Sequence, residues 1–241
     1  MDTTTQFRTR PEGFAEVRKA HLVKTLPTII LALAVGLGLS FYQTADSGVA
    51  LIVIPITITI ALISVAIGLK IGLKRLKDIF DSFVLEINEQ GITRKQYNTD
   101  DIFIPIGEIE TINKNTDGGY TVVGRSSQNN IIIPKQMEDP DKLEAALAGV
   151  MPLTSHQVIP FLQKYRNLVG IVTMVLYVGV YLAHDKILLG TCAILLFSLL
   201  GYSFFEIQRN KNVDNTTKKT MWIIVLVGLS MLWNIYNKLI Q

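Results

Sequence analysis

The residues of this sequence that could do chemistry are few and lie far apart. Three histidines, His21, His156 and His184, are widely separated, and the single cysteine, Cys192, stands inside an apolar run. One cysteine can form neither a disulfide nor a cysteine-ligated zinc site within one chain. The patterns GxxxxGK[ST], HExxH and CxxC do not occur. We therefore predict no metal site and no cofactor.

Four carboxylates, Asp100, Asp101, Glu108 and Glu110, are near one another in the sequence. Acid–base catalysis by a carboxylate pair requires two side chains that converge on one pocket. Asp100 and Asp101 have the context of turn residues, and Glu108 and Glu110 alternate as on the solvated face of a strand. We therefore predict that the protein is not an enzyme.

Cations form the clearest cluster of polar residues. Lys70, Lys74, Arg75 and Lys77 follow directly after a long apolar run. A Lys or Arg close to an anionic leaflet contributes about 1 kcal/mol of attraction. The four are candidate contacts for lipid headgroups, or they serve only to fix the topology. The same segment, KIGLKRLKDIF, is amphipathic and could also extend the preceding helix.

Gly68 and Gly72 form a GxxxG motif at the end of the same run. This spacing lets two membrane helices approach closely, so both glycines are candidates for helix packing.

The elements that carry these residues include five apolar runs. The chain is 49% hydrophobic and only 18% charged, whereas soluble domains average about 25% charged. A membrane-spanning helix needs roughly 20 apolar residues, with a range of about 17–25. We predict spanning helices at 26–42, 49–69, 168–183, 187–205 and 221–237. None carries an Asp, Glu, Lys or Arg at mid-depth, which disfavours a coupled transporter.

The block 74–152 has the pattern of a soluble α+β domain. Short β-branched strands alternate with turn signals, and NTDGGY is a strong hairpin signal because glycine adopts positive φ without penalty. EDPDKLEAALAGVM predicts one amphipathic helix, with Asp139 as N-cap and Pro140 as its first residue. A polar segment, 1–24, precedes the first apolar run, and a linker, 153–167, follows the domain.

Four motifs within this block resemble the PH-like domains of the YcxB and related bacterial membrane-protein families. They are FVLEINEQGI, IFIPIGEIETI, GGYTVVG and NNIIIPKQMEDPDKLEAAL. Gly91-Ile92, Ile104–Ile109 and Ile133-Pro134-Lys135 hold the places of the family's "GI" turn, its "I-x-W-x-x-I" strand and its "IPK" segment. This sequence lacks the usual tryptophan, and Pro105 or Ile106 stands near its position. The resemblance implies a small, bent antiparallel sheet closed by one C-terminal helix and adjoining transmembrane helices. It carries over no active residues.

The distribution of Lys and Arg predicts the orientation, because short cytoplasmic loops are enriched in them. The segment 1–24, the residues after the second run and the 206–220 loop are rich in cations, whereas the 43–48 link has none. A five-helix arrangement places every cation-rich segment on one side. We predict an inner-membrane protein with its N-terminus and PH-like domain in the cytoplasm and its C-terminus outside.

The net charge of only +3 indicates no nucleic-acid partner. We expect a membrane α-helical protein with an inserted PH-like domain, whose partners are the lipid bilayer, another protein or a second copy. Its function would be non-enzymatic recognition of a protein or an anionic lipid. The alternatives are a subunit or regulator of a channel or transporter, and, less favoured, a lipid enzyme that uses His21, His156 or Asp78.

Overall fold

The computed structural model describes residues 4–44, 50–126, 129–154, 166–183 and 185–240. His156, His184, the 45–49 part of the first link and most of the 153–167 linker lie outside these ranges.

Within the described residues, four helices are long and apolar enough to cross a membrane, and they correspond to four of the five predicted spans. They are α1 (Phe14–Thr44), α2 (Ala50–Asp81), α5 (Lys186–Arg209) and α7 (Trp222–Ile240). The predicted third span corresponds to α4 (Arg166–Leu182), an apolar helix of 17 residues. The chain therefore has the pattern of a multi-pass membrane protein with at least four spans.

Both α1 and α2 extend well beyond their apolar parts. α2 continues to Asp81, so the KIGLKRLKDIF segment extends the second helix. α1 already begins at Phe14, and its ring lies 5.8 Å from that of Phe80 on α2. The two helices thus form a paired stalk that leads to the β-strands of the chain.

The first sheet contains four antiparallel strands in the order β1-β2-β3-β4. These strands are β1 (Thr5–Arg8), β2 (Val84–Ile87), β3 (Gly91–Lys95) and β4 (Ile102–Pro105). Gly91 is required where β3 passes β4, because a Cβ atom there would lie 2.3 Å from the carbonyl oxygen of Ile104.

The second sheet has the order β7-β6-β5-β8. It contains β5 (Ile109–Lys114), β6 (Tyr120–Gly124), β7 (Asn130–Ile133) and β8 (Leu153–Thr154). β8 pairs with β5 in parallel, whereas the other pairs are antiparallel. The predicted antiparallel sheet is thus two sheets, with one short parallel strand added.

Helix α3 (Pro140–Val150) follows β7 and covers the core. It buries Leu143 and Leu147 against both sheets, and Ala146 and Val150 pack beside them, at the predicted helical spacing. Lys114 and Tyr120 both bind the carboxylate of Glu144 and so hold α3 to β5 and β6. We call β1–β8 together with α3 the β domain.

Strand β1 is an element that the sequence analysis did not predict. Phe7 is 5% exposed and lies opposite Leu85 of β2. Beyond β1, the backbone N–H of Glu138 donates to Arg8 O, and that of Arg10 donates to Gln136 O, each at 2.8 Å. The N-terminal segment is therefore part of the β domain.

Replacing Phe7 with Ala tests the role of β1. Loss of a buried Phe side chain costs about 3 kcal/mol, so amide hydrogen exchange in β2 should speed up about a hundredfold. Hydrogen exchange of the full chain in lipid nanodiscs, read by mass spectrometry, measures this. Gln6→Ala is the matched control, because Gln6 is exposed on the same strand. Equal exchange in the two variants would contradict a core role for Phe7.

Candidate functional site

The segment 210–220, between α5 and α7, lies against the β domain. We call it the docking loop; it contains the short helix α6 (Asn215–Thr220). Asn212 donates from Nδ2 to the backbone oxygen of Asn130, and Lys211 donates from Nζ to Asn129 Oδ1, each at 2.8 Å. The loop therefore contacts the beginning of β7.

The docking loop also contacts the turn between β3 and β4. The backbone N–H of Asn215 donates to Asn98 O at 2.8 Å, and Asn98 Nδ2 donates to Thr216 Oγ1 at 2.7 Å. Lys218 forms an ion pair with Asp100, with Nζ and Oδ2 3.1 Å apart. The loop thus bridges the two sheets of the β domain.

Arg94 on β3 is the most buried charged residue at this contact, with 2% of its surface exposed. Its guanidinium donates to Asn212 Oδ1 at 2.6 Å, to the Asp100 carbonyl at 2.8 Å and to the Lys211 carbonyl at 3.1 Å. These acceptors are neutral oxygens. Two of them belong to the docking loop, so the loop completes the surroundings of Arg94.

Burial lowers the pKa of Arg94, and the carboxylates of Asp101 and Asp100 oppose that shift. The guanidinium stays charged, because arginine is not deprotonated in proteins. A buried charge is costly unless it is paired and hydrogen-bonded. Within the part of the chain that the structure describes, Arg94 forms no ion pair, and its Nε–H has no hydrogen-bond partner.

A second connection joins the docking loop to α2. Arg75 pairs through its guanidinium with Asp214 and also donates to Thr217 Oγ1. Asp214 is 8% exposed and is the N-cap of α6, where it accepts the backbone N–H groups of Thr216 and Thr217 at 3.1 Å. One carboxylate therefore caps α6 and binds the loop to the stalk.

A cavity of about 270 Å³ lies where the stalk, the β domain and the docking loop meet. We call it the junction cavity. Its polar lining residues are Thr9, Arg94, Gln96 and Asn212. Its apolar lining comes from α1, α2 and the β domain: Val17, Leu76, Ile79, Phe80, Phe83, Ile132 and Pro134.

The four predicted headgroup cations divide into two pairs. Arg75 is half-buried and bound to Asp214, and Lys77 pairs with Asp81 on its own helix. Lys70 and Lys74 are exposed and form no ion pair with other residues that the structure describes. The structure thus leaves Lys70 and Lys74 available to an external anion.

Gly68 and Gly72 make no close helix contact with any residue that the structure describes. A Cβ atom at either position would meet nothing within 4 Å. Both glycines instead line a groove of about 250 Å³ between α1 and α2, together with His21 and Thr25. The GxxxG spacing therefore produces no tight α1–α2 packing among the described residues.

The four acidic residues of the sequence analysis are not arranged as a catalytic pair. Asp100, Asp101, Glu108 and Glu110 are all exposed, and Asp100 is bound to Lys218. Over residues 4–44, 50–126, 129–154, 166–183 and 185–240, no three or more His, Cys, Asp or Glu side chains are grouped so that they could hold a metal ion.

Sequence reasoning missed Arg94 and the docking loop. One signal was present for Arg94: it stands two residues after Ile92, so both side chains lie on the same, inward face of β3. For the loop, Asp214 followed by Asn-Thr-Thr is a helix-start signal within a segment whose composition otherwise indicates only a polar connection.

Comparisons of the chain with protein-family models, with curated proteins and with solved structures gave no match.

A double-mutant cycle of Arg75→Gln and Asp214→Asn tests the ion pair. Asn is as good an N-cap as Asp, so Asp214→Asn removes the charge and retains the cap. We expect a coupling free energy of about 1–2 kcal/mol, measured from hydrogen exchange of the docking loop. Lys77→Gln, which removes an exposed pair, should cost less than about 0.5 kcal/mol. Additive effects of the two Arg75 and Asp214 substitutions would contradict the contact.

Proposed function

We propose that the chain is a non-enzymatic integral membrane protein that holds a PH-like domain at the inner leaflet, where it recognises a protein or an anionic lipid. One observation carries this proposal: within the described part of the chain, the β domain is attached to the helices at three points. β1 leads into α1, α2 leads into β2, and the docking loop joins the β domain to α5 and α7. A domain held in this way stays at a fixed height above the bilayer.

The order of elements in the β domain supports its PH-like character. Seven of the eight described strands precede helix α3, which covers the core, and β8 joins the second sheet after it. The resemblance implies one bent antiparallel sheet closed by one C-terminal helix, and the succession of strands and then a helix is what this chain shares with that pattern. The "GI" turn falls at Gly91, and the "IPK" segment falls at the end of β7.

The docking loop also supports a fifth span. α5 has 24 residues and is about 36 Å long at a rise of about 1.5 Å per residue. Its Arg209 end adjoins the docking loop, so its Lys186 end lies at the opposite side of the bilayer. The chain must cross from the β domain to Lys186, and α4 is the helix that the described residues place between them.

Lys238 near the end of α7 supports the same arrangement. Its Nζ donates to the carbonyl oxygens of Tyr181 and Ala183, at the C-terminal end of α4, at 2.5 and 3.2 Å. α4 and α7 therefore end together, away from the docking loop. With the cation-rich segments on the inside, the C-terminus is outside.

Exposed cations near the stalk favour anionic lipid as one ligand of this surface. Lys70 and Lys74 are joined by three further exposed cations on α1: Arg18, Lys19 and Lys24. Each cation contributes about 1 kcal/mol of attraction near an anionic leaflet. This attraction falls off over about one Debye length, so it weakens as salt is added.

The alternative function is that of a subunit or regulator of a membrane channel or transporter. The docking loop favours it, because a partner bound to the β domain would act through the loop on α5 and α7. Ion flux through liposomes that contain the full chain separates this function from simple recognition.

Substitution of Lys70 and Lys74 tests lipid recognition. In nanodiscs at low salt, the full chain with both residues changed to Gln should lose about 2 kcal/mol of affinity for phosphatidylglycerol, about a 30-fold loss. Native mass spectrometry of retained lipids measures this. The control is Lys142→Gln, an exposed cation on α3. Unchanged lipid retention would leave the two lysines as topology determinants only and would direct the search to protein partners.

Cysteine labelling tests the orientation. In a Cys192→Ser background, Thr116→Cys, in the exposed β5–β6 turn, should react with a membrane-impermeant maleimide only after permeabilisation. A cysteine added at the C-terminus should react in intact cells. Labelling of both from the same side would overturn the five-span arrangement.

A further inference from the structure

The junction cavity contains a buried cation with an unused donor. Arg94 lines the cavity, and its Nε–H is buried with no partner among the described residues. Nearly all buried donors in proteins are paired, and an unpaired one costs about 1–3 kcal/mol. Such an atom indicates a group that the protein itself does not supply.

The other polar residues that line the cavity already donate to the protein. Thr9 Oγ1 donates to the carbonyl of Phe80 at 2.7 Å, and Gln96 Nε2 donates to that of Ile79 at 3.1 Å. The distinct polar feature of the cavity is therefore the guanidinium of Arg94.

The charges near the cavity favour an anion. The carboxylate of Asp100 is bound by Lys218 and that of Asp214 by Arg75. The carboxylate of Asp101 also raises the pKa of Arg94, but among the described residues it forms no ion pair with Arg94, which donates to neutral oxygens. An anionic oxygen at Arg94 would gain a charge-assisted hydrogen bond, roughly twice as strong as a neutral one.

The walls and the size of the cavity restrict the rest of the ligand. Most lining side chains are apolar, and Ile132, one of them, is 51% exposed, so the cavity reaches the surface there. Its volume of about 270 Å³ is just below the range of about 300–1,000 Å³ for sites of drug-sized ligands. One short apolar chain with a small head suits this space, and two acyl chains do not.

We propose that the junction cavity binds a single-chain anionic amphiphile, with its carboxylate or phosphate on Arg94 and its apolar chain between α1, α2 and β7. This inference rests on the proposed function as a recognition module and names a ligand class for it. The ligand contacts the stalk, the β domain and Asn212 of the docking loop at once. Its binding therefore stabilises the attachment of the docking loop.

The test uses the full chain in zwitterionic nanodiscs, titrated calorimetrically with octanoate, octyl phosphate and octanol, and with empty nanodiscs subtracted. We expect saturable binding of both anions at least tenfold tighter than that of octanol, and slower hydrogen exchange in the docking loop. Equal binding of octanol, or heat no greater than with empty nanodiscs, overturns the proposal.

Two variants locate the binding site. Ile132→Trp fills the mouth of the cavity at an exposed position and should weaken octanoate binding at least tenfold. Its control is Phe103→Trp, because Phe103 is a similarly exposed apolar residue on β4 that does not line the cavity. Arg94→Lys retains the charge but lacks the Nε–H, and should also weaken binding. Unchanged affinity in Ile132→Trp overturns the proposal even if Arg94→Lys fails to fold.

A further titration shows whether the anion comes from a single-chain ligand or a two-chain lipid. It also separates failure of this inference from failure of the proposed function. Phosphatidylglycerol in the nanodisc should not compete with octanoate; full competition would show that a two-chain lipid occupies the site and would overturn the single-chain proposal. If octanoate fails to bind but retention of phosphatidylglycerol still depends on Lys70 and Lys74, this inference fails and the proposed function stands.

Discussion

The burial of Arg94 is the constraint on which the arrangement of the chain depends. A guanidinium with 2% of its surface exposed needs acceptors from the protein. The docking loop, more than 110 residues further along the chain, supplies Asn212 Oδ1 and the Lys211 carbonyl. Without the loop, Arg94 would lose two of the oxygens that accept its hydrogen bonds, and a buried charge without acceptors is among the costlier defects in a protein. The inward Arg94 and the docked loop therefore depend on each other.

The positions of the helices also depend on the contact between Arg94 and the docking loop. The docking loop ends α5 and leads into α7, so its position against the β domain fixes the near ends of both helices. Asp214 adds the stalk to the same contact, because it caps α6 and binds Arg75. At the far end, Lys238 binds the last carbonyls of α4, as a cation at a helix C-terminus should. The polar contacts of the bundle thus lie at its two ends, and its middle packs through apolar side chains such as Leu196 and Met231.

Local sequence patterns predicted much of the fold. Apolar runs identified the four long helices, and alternation with glycine turns identified the strands from β2 to β7, because both signals arise within a few neighbouring residues. Strand β1 was not predicted, because TQFR has one apolar residue and its partner strand, β2, lies about 80 residues further along the chain. Side-chain roles were also missed. Asp139 occupies the N-cap position at φ 46°, but its carboxylate pairs with Lys142 and accepts no backbone N–H. The contacts of Arg94 could not be predicted, because no local pattern identifies a partner in a distant loop.

Cross-linking of the docking loop to the β domain tests this account most directly. Asp100 and Lys218 form an ion pair across the contact, so cysteines at these two positions, in a Cys192→Ser background, should be joined by a short bismaleimide in native membranes. The account predicts rapid cross-linking within a single chain. It predicts no cross-linking in a control variant with cysteines at positions 100 and 142. Labelling of positions 100 and 218 from opposite sides of the membrane, with no cross-link, would contradict it.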